Sequence, residues 1–220
     1  MTHTNKRKYL KYMQAHEDWL PGWDAIKNAF DPVYGETARQ FMPAGRIGET
    51  PTSLQGFALY ASTQGYLHIV TCGLSQIGPA RDACTAARSG LGFELTARCA
   101  CATPAECMAV LRLLNRIALY ADSRKCSYSL YSCFPVAERT SPDAASDALT
   151  AVAFIPDCSV PFLDSIHGRV DFLQVIDLTE GEWREIRRHP GLVRQVIFSM
   201  HQQDPRLLLN VARTGNYLAV

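Results

Sequence analysis

The chain has 220 residues, with 22 Lys and Arg against 21 Asp and Glu, 47% hydrophobic residues and eight cysteines. That length can bury roughly 70% of its unfolded surface in one domain, and 20% charged residues are too few for a disordered polymer. A formal charge of +1 gives no field that selects nucleic acid or an anionic membrane. No apolar run reaches the ~20 residues of a membrane-spanning helix.

The amino terminus carries Lys6, Arg7, Lys8 and Lys11, but Gln14, His16, Glu17 and Asp18 interrupt the apolar stretch that a secretory signal needs. The basic cluster reads as a solvated helix end. Tyr9, Leu10 and Met13 form a short apolar stripe before a break at Pro21-Gly22. Trp23, Ile26 and Phe30 then recur at i, i+3 and i+7, which predicts an amphipathic helix ending at Asp31-Pro32. Trp19 and Trp23 read as packing anchors, because no basic residues interleave them as in a base-stacking platform. Pro43, Gly45, Gly48, Pro51 and Gly56 predict a connection over 41–56.

Residues 66–71 are β-branched and aromatic and predict a strand that stops at Gly73. Residues 93–99 alternate, with Phe93, Leu95 and Ala97 facing one way and Glu94, Thr96 and Arg98 the other. A Gly-, Ser- and Ala-rich loop of the length that often carries function joins the two over 76–91. Thr103, Pro104 and Glu106 predict a capped helix start, and Cys107, Val110, Leu111, Leu114, Ile117, Ala118 and Ala121 trace its apolar face to about Asp122. Strands are expected at 128–134, 151–155 and 170–178, with a polar loop over 135–147. A second capping box, Thr179 to Glu182, opens a short helix through Trp183 and Ile186. His189-Pro190-Gly191 separates it from another through Leu192, Val196 and Met200, and Leu207, Leu209 and Val211 read as a last strand. Regular βαβ alternation is absent, so one α+β domain is expected rather than a doubly wound sheet.

Motifs for catalysis are missing: there is no GxSxG elbow, Walker loop, HExxH or GxGxxG. The cysteines contain no Cys-x-x-Cys pair for structural zinc. Cys99 and Cys101 would share one face of a strand, and with no signal peptide the thiols are expected reduced in a cytoplasm. His68 and Cys72 lie four apart in a strand, about 13 Å, too far for a hydrogen-bonded nucleophile and base. Glu94 and Arg98 can be read as a charged floor for a ligand or as an ion-pair lattice across the sheet. Tyr120, near the end of the capped helix, suits a core margin or an interface. No catalytic residue, cofactor or metal site is expected.

Residues 67–75 (LHIVTCGLS) and 89–98 (SGLGFELTAR) together resemble the Suppressor of Fused domain family, whose pattern is Gly-Leu-Ser, a variable loop, then Ser-Gly-x-Gly-Phe-Glu-Leu-Thr-x-Arg. Residues 117–120 (IALY), 172–175 (FLQV) and 178–180 (LTE) match further along, as does the segment from Gly22-Trp23-Asp24 to Tyr34-Gly35 more loosely. The similarity spans about 20–213, leaving 1–19 as a basic helical extension of a single domain over 1–220. Cys72 and Ala97 stand where relatives usually carry aromatic residues. The resemblance implies a mixed, largely antiparallel twisted sheet flanked by helices. It also implies a protein-binding role, and makes Tyr120 a counterpart of a family tyrosine implicated in peptide binding. The animal regulator clamps its partner between this domain and a second one, so that clamp is not carried over to this chain. Stand-alone bacterial relatives imply an immunity protein that binds and neutralises a polymorphic toxin domain, without enzymatic activity. Tyr120, Glu94 and Arg98 are the expected contact residues. A regulator that binds peptides by strand addition, and an enzyme with a small-molecule pocket near Glu94 and Arg98, are the alternatives.

Overall fold

A computed structural model describes residues 21–48, 53–76, 88–136, 149–165 and 168–218, together with Lys11 and Ala15. The apolar stripe at Tyr9 to Met13, the Trp19 anchor and most of the loops expected at 76–91 and 135–147 lie outside the described residues. The first element, α1 (Pro21–Tyr34), buries Ile26 and Phe30 completely. It runs past the stop expected at Asp31-Pro32. Pro32 lies in its last turn, where one missing amide leaves the preceding turns intact. Gly35, at φ 84°, ends it by donating its N–H to the Asp31 carbonyl at 2.7 Å.

Among the described residues, eight strands form one mixed sheet in the order β1-β2-β3-β4-β8-β6-β5, with β7 paired to β8 as well. They are β1 (Arg39–Pro43), β2 (Gly56–Ala61), β3 (Leu67–Cys72), β4 (Arg88–Cys99), β5 (Cys133–Pro135), β6 (Ala151–Pro156), β7 (Phe162–Ser165) and β8 (Gly168–Leu178). Only β4 and β8, at the centre, are parallel; every other pairing is antiparallel. The helices are α2 (Pro104–Arg124), α3 (Glu180–Arg188) and α4 (Leu192–Gln203). A single α+β domain results, as expected from the element order.

One face of the sheet packs on α2: Phe57, Leu59, Ile69, Phe93, Leu95, Phe154 and Val175 meet Val110, Leu111, Leu114 and Ile117. The opposite face carries two separate apolar clusters. Ala58, Tyr60, Val70 and Phe172 pack on Ile26 and Phe30 of α1, while Ala153, Ile155, Ile176 and Leu178 pack on Ile186, Val196 and Met200 of α3 and α4. Helices thus cover one face and two separate parts of the other, and the inner strands carry buried polar residues, Thr96 and Arg98 among them, between the two apolar clusters.

Several local expectations fail for definable reasons. β1 overlaps the start of the 41–56 segment, whose glycines and prolines predict only a connection, and β2 is buried on both faces, so neither offers an alternation to read. Within 128–134 only the end is regular, because Ser132 turns back to Ser129 and Tyr131 adopts φ 64°. Residues 207–211 form no strand: Leu207 sits at φ 51°, although the Leu209 amide does reach the Arg98 carbonyl at 2.6 Å. Both helix caps form. Thr103 accepts from the Glu106 amide, and Thr179 and Glu182 make the full reciprocal box.

The carboxy-terminal segment is anchored by Arg213. Its guanidinium donates to Asp177 Oδ2, to Glu182 Oε1 and Oε2 at 2.9 and 2.7 Å, and to the Asp177 carbonyl at 2.8 Å. Replacing Arg213 with Met would leave two buried carboxylates facing each other. The expected loss is about 3–5 kcal/mol in urea unfolding; a change below about 1 kcal/mol would show that the segment is held otherwise.

Candidate functional site

The Glu94, Thr96 and Arg98 side of β4 is not open. Glu94 and Thr96 expose no surface and Arg98 only 5%. Glu94 Oε2 accepts from Thr71 Oγ1 at 2.6 Å, and Oε1 accepts from the Gly73 and Ser75 amides at 2.9 Å and from Ser75 Oγ at 2.7 Å. Burial pushes this carboxyl's pKa upward, and the four donors pull against that shift. The bonds tie the turn after β3 to the central strand. Gly73 holds φ 128° there, and a Cβ would lie 2.1 Å from the Ser53 carbonyl oxygen. The Gly-Leu-Ser and Phe-Glu-Leu-Thr segments are thus two halves of one structural joint.

Arg98 and Thr96 belong to a polar seam that runs between the two apolar clusters. Arg98 Nη2 donates to Ser159 Oγ at 2.7 Å, Nη1 to the Arg206 carbonyl at 3.4 Å, and the guanidinium lies 5.5 Å from the centre of the Tyr66 ring. Asp157 accepts from Thr96 Oγ1 at 2.6 Å and from the Ser159 and Val160 amides at 2.8 and 2.9 Å. His68 Nε2 lies 2.8 Å from Asp157 Oδ2, too oblique for a directed bond, and its Nδ1 is 2.6 Å from Tyr34 Oη. Gln174 on β8 accepts from the Cys158 amide and donates to the Leu207 carbonyl. Two irregular segments, 157–161 and 204–209, therefore close over the seam where a helix does not.

Tyr34, His68 and Asp157 stand in the order of nucleophile, base and orienting carboxylate. The environment works against that chemistry. Burial pushes the Tyr34 phenol well above its usual value, and His68 has no exposed surface. Cys72 is buried in the α1 cluster, and burial first, then the Glu94 carboxylate, hold its thiol far from ionisation. His68 and Cys72 share β3 but make no dyad.

Tyr120 lies elsewhere. It is 44% exposed on α2, edge-to-face with Phe134 of β5 at 4.9 Å. Phe134 contacts Tyr128 at 5.6 Å, and Tyr128 stacks on the core residue Phe154 at 4.3 Å. A rigid aromatic ladder thus leads from the core to the surface beside β5. The structure does not gather the three expected contact residues, since Glu94 and Arg98 are buried on the opposite face of the sheet.

Sequence reasoning missed Asp157, which reads as an ordinary turn residue after a strand. It also missed a cavity of about 470 Å³ beyond the end of β4, lined by Cys99, Cys101, Glu106, Met200, Leu207 and Tyr217 among others. Neither Glu94 nor Arg98 lines it.

An eight-stranded mixed sheet with a closed polar seam defines an α+β class with known relatives. A sequence profile described as Suppressor of fused protein (SUFU) matches residues 51–214. The chain belongs to the Suppressor of fused family. Its fold is similar to that of Drosophila Suppressor of Fused, at 19% identity and a TM-score of 0.69 over 90% of this chain and 51% of the fly protein. The chain thus spans about half the length of that relative. It also resembles a chain in a Sufu–Fu complex (18% identity, TM-score 0.62, covering 88% and 89%). A third neighbour is a SUFU homolog from Neisseria gonorrhoeae FA 1090 (11%, 0.59, 90% and 97%). No curated protein sequence matches.

Asp157 gives the seam a pH signature. Burial raises its pKa, but the neighbouring His68 and the hydrogen bonds from Thr96 and Val160 overcome that and bring it down to about 2. A depressed folded-state value stabilises the fold above the unfolded value near 4, and that contribution fades as pH falls toward 2. Between pH 5 and pH 2, urea unfolding should show the wild type losing about 2 kcal/mol more than Asp157→Asn. Parallel curves would mean that the carboxylate titrates normally.

Proposed function

We propose that this chain is a non-enzymatic protein-binding module whose contact surface is the Tyr120 and β5 rim, and that its partner is a bacterial toxin domain that it neutralises. One observation carries the choice of surface: Tyr120 is a large exposed aromatic held by a ladder of ring contacts that reaches the core. A fixed aromatic anchor loses little conformational freedom on binding, which is the profile of an interface hot spot. Glu94 and Arg98 act in this reading as supports of the fold rather than as contacts. The occurrence of a related chain in a Sufu–Fu complex agrees with partner binding by this fold. The toxin as partner rests on the resemblance to stand-alone bacterial relatives.

Strand addition is the second reading, favoured by the position of β5 at the end of the sheet among the described residues. Ser132 and Val136 bond to the β6 side, so Cys133 and Pro135 turn their backbones outward. Pro135 has no N–H, which leaves Cys133 as the outward donor of this short edge. A peptide would pair there over very few residues.

Affinity purification from the native host, with mass spectrometry of stoichiometric partners, tests the reading. The carboxy-terminal domain of a large secreted toxin should co-purify, and co-expression should rescue cells from it. Tyr120→Ala should weaken that complex by about 2 kcal/mol or more, roughly thirtyfold, with the melting temperature nearly unchanged. Recovery of the chain alone while candidate toxins are expressed, or a Tyr120→Ala variant that binds like the wild type, would contradict it.

A further inference from the structure

Three of the eight cysteines converge where β4 runs into α2. β4 ends at Cys99, and Cys101 then adopts φ 45°, a left-handed conformation that few side-chain-bearing residues enter. In a regular strand the two side chains would stand about 6.6 Å apart along one face. The turn at Cys101 instead brings its sulfur within 2.8 Å of Cys99 Sγ. Cys107, in the first turns of α2, lies near enough to act on the Cys101 thiol. Cys99 and Cys101 both line the 470 Å³ cavity, so the pair faces a space that a small molecule can enter.

We propose that Cys99 and Cys101 form a reversible redox dithiol in which Cys101 attacks a low-molecular-weight disulfide in this cavity and Cys99 resolves the product.

The two sulfurs are not equivalent. Cys99 is buried and Cys101 is partly exposed. The hydrogen bond with Cys99 first, and the neighbouring Cys107 after it, bring the Cys101 thiol down to about 7, against burial and the nearby Glu106 carboxylate, which raise it. Cys99 moves the other way, raised first by its bond to Cys101 and then by burial. Cys101, the more exposed sulfur, is the one an incoming disulfide reaches, and it attacks as the thiolate, which is the nucleophilic form. Two further thiols differ: burial raises Cys107 to about 11, and burial also raises Cys158, although it is exposed. Among the described residues no three His, Cys, Asp or Glu side chains are arranged to hold a metal ion, which separates this cluster from a thiolate metal site.

The exchange balances without another reagent. The Cys101 thiolate attacks one sulfur of R–S–S–R, forming a Cys101–S–S–R bond as the original S–S bond breaks. The departing thiolate takes up the proton that Cys101 released. Cys99 then attacks the Cys101 sulfur, the intrachain disulfide forms, and a second thiolate leaves with the Cys99 proton. Two electrons pass from the cysteine pair to the small disulfide, which departs as two thiols.

The test uses the full chain in glutathione buffers of graded oxidised-to-reduced ratio, with acid quenching, alkylation and peptide mapping. Wild type should lose two hydrogens from the peptide containing Cys99 and Cys101 and recover them on reduction. Cys99→Ser, with Cys99→Ala as a check on folding by circular dichroism, should accumulate glutathione on Cys101, whereas Cys101→Ser should leave Cys99 unmodified. Iodoacetamide should label Cys101 with a midpoint near pH 7, and at neutral pH about tenfold faster than Cys158. Glutathione appearing first on Cys158 while Cys101 stays reduced would overturn the proposal. A disulfide joining Cys101 to Cys107 would overturn the role given to Cys99.

Discussion

A carboxylate with no exposed surface must find donors inside the protein, and the four that reach Glu94 set the layout around the central strand. Three of them come from the turn after β3, so satisfying the charge also fixes where that turn leaves the sheet. Thr71 serves twice, donating to Glu94 and accepting from the Leu95 amide at 2.8 Å. Removing a partner from such a group leaves the desolvation penalty uncompensated, which exceeds the net gain of a typical hydrogen bond. The joint therefore holds β3 and β4 in register next to the parallel β4–β8 pair.

The same logic extends along β4. Thr96 and Arg98 lie between two apolar clusters on a face that no helix covers continuously, and they bind the two irregular segments that close the gap. Asp157 organises one segment through amides and the Arg206 and Leu207 carbonyls organise the other. Polar residues on a central strand here act as attachment points for loops. The consequence for function is spatial. Glu94 and Arg98 of β4 are occupied inside the fold, whereas Tyr120 beside β5 and the partly exposed Cys101 just past β4 lie at the rim.

The sequence showed the long elements well. The capped α2, the alternating β4, β6, β8 and the split α3–α4 pair all carry strong local signals, namely capping residues, periodicity and a Pro-Gly break. β1 and β2 carried none, and β7 alternates over too few residues, four, to stand out. The segment at 207–211 has a strand's composition, but its backbone bonds go to Arg98 and Asp177 rather than into a ladder. Glu94 and Arg98 stood out as charged residues on one strand face, yet whether that face is solvent or interior depends on loops far away in the chain. The cysteine cluster was half visible: spacing showed Cys99 and Cys101 close together, and only the backbone turn at Cys101 showed how close. Tyr120 was legible through the family resemblance, and its aromatic ladder only through the fold.

Native-state hydrogen exchange at the Gly73 and Ser75 amides tests the central claim most directly. Both donate to a carboxylate buried in the core, so both should exchange only through openings near the full unfolding free energy, and Glu94→Gln should accelerate them selectively. Fast exchange at these two amides, with the neighbouring β3 and β4 amides still protected, would contradict the view that Glu94 holds this joint together.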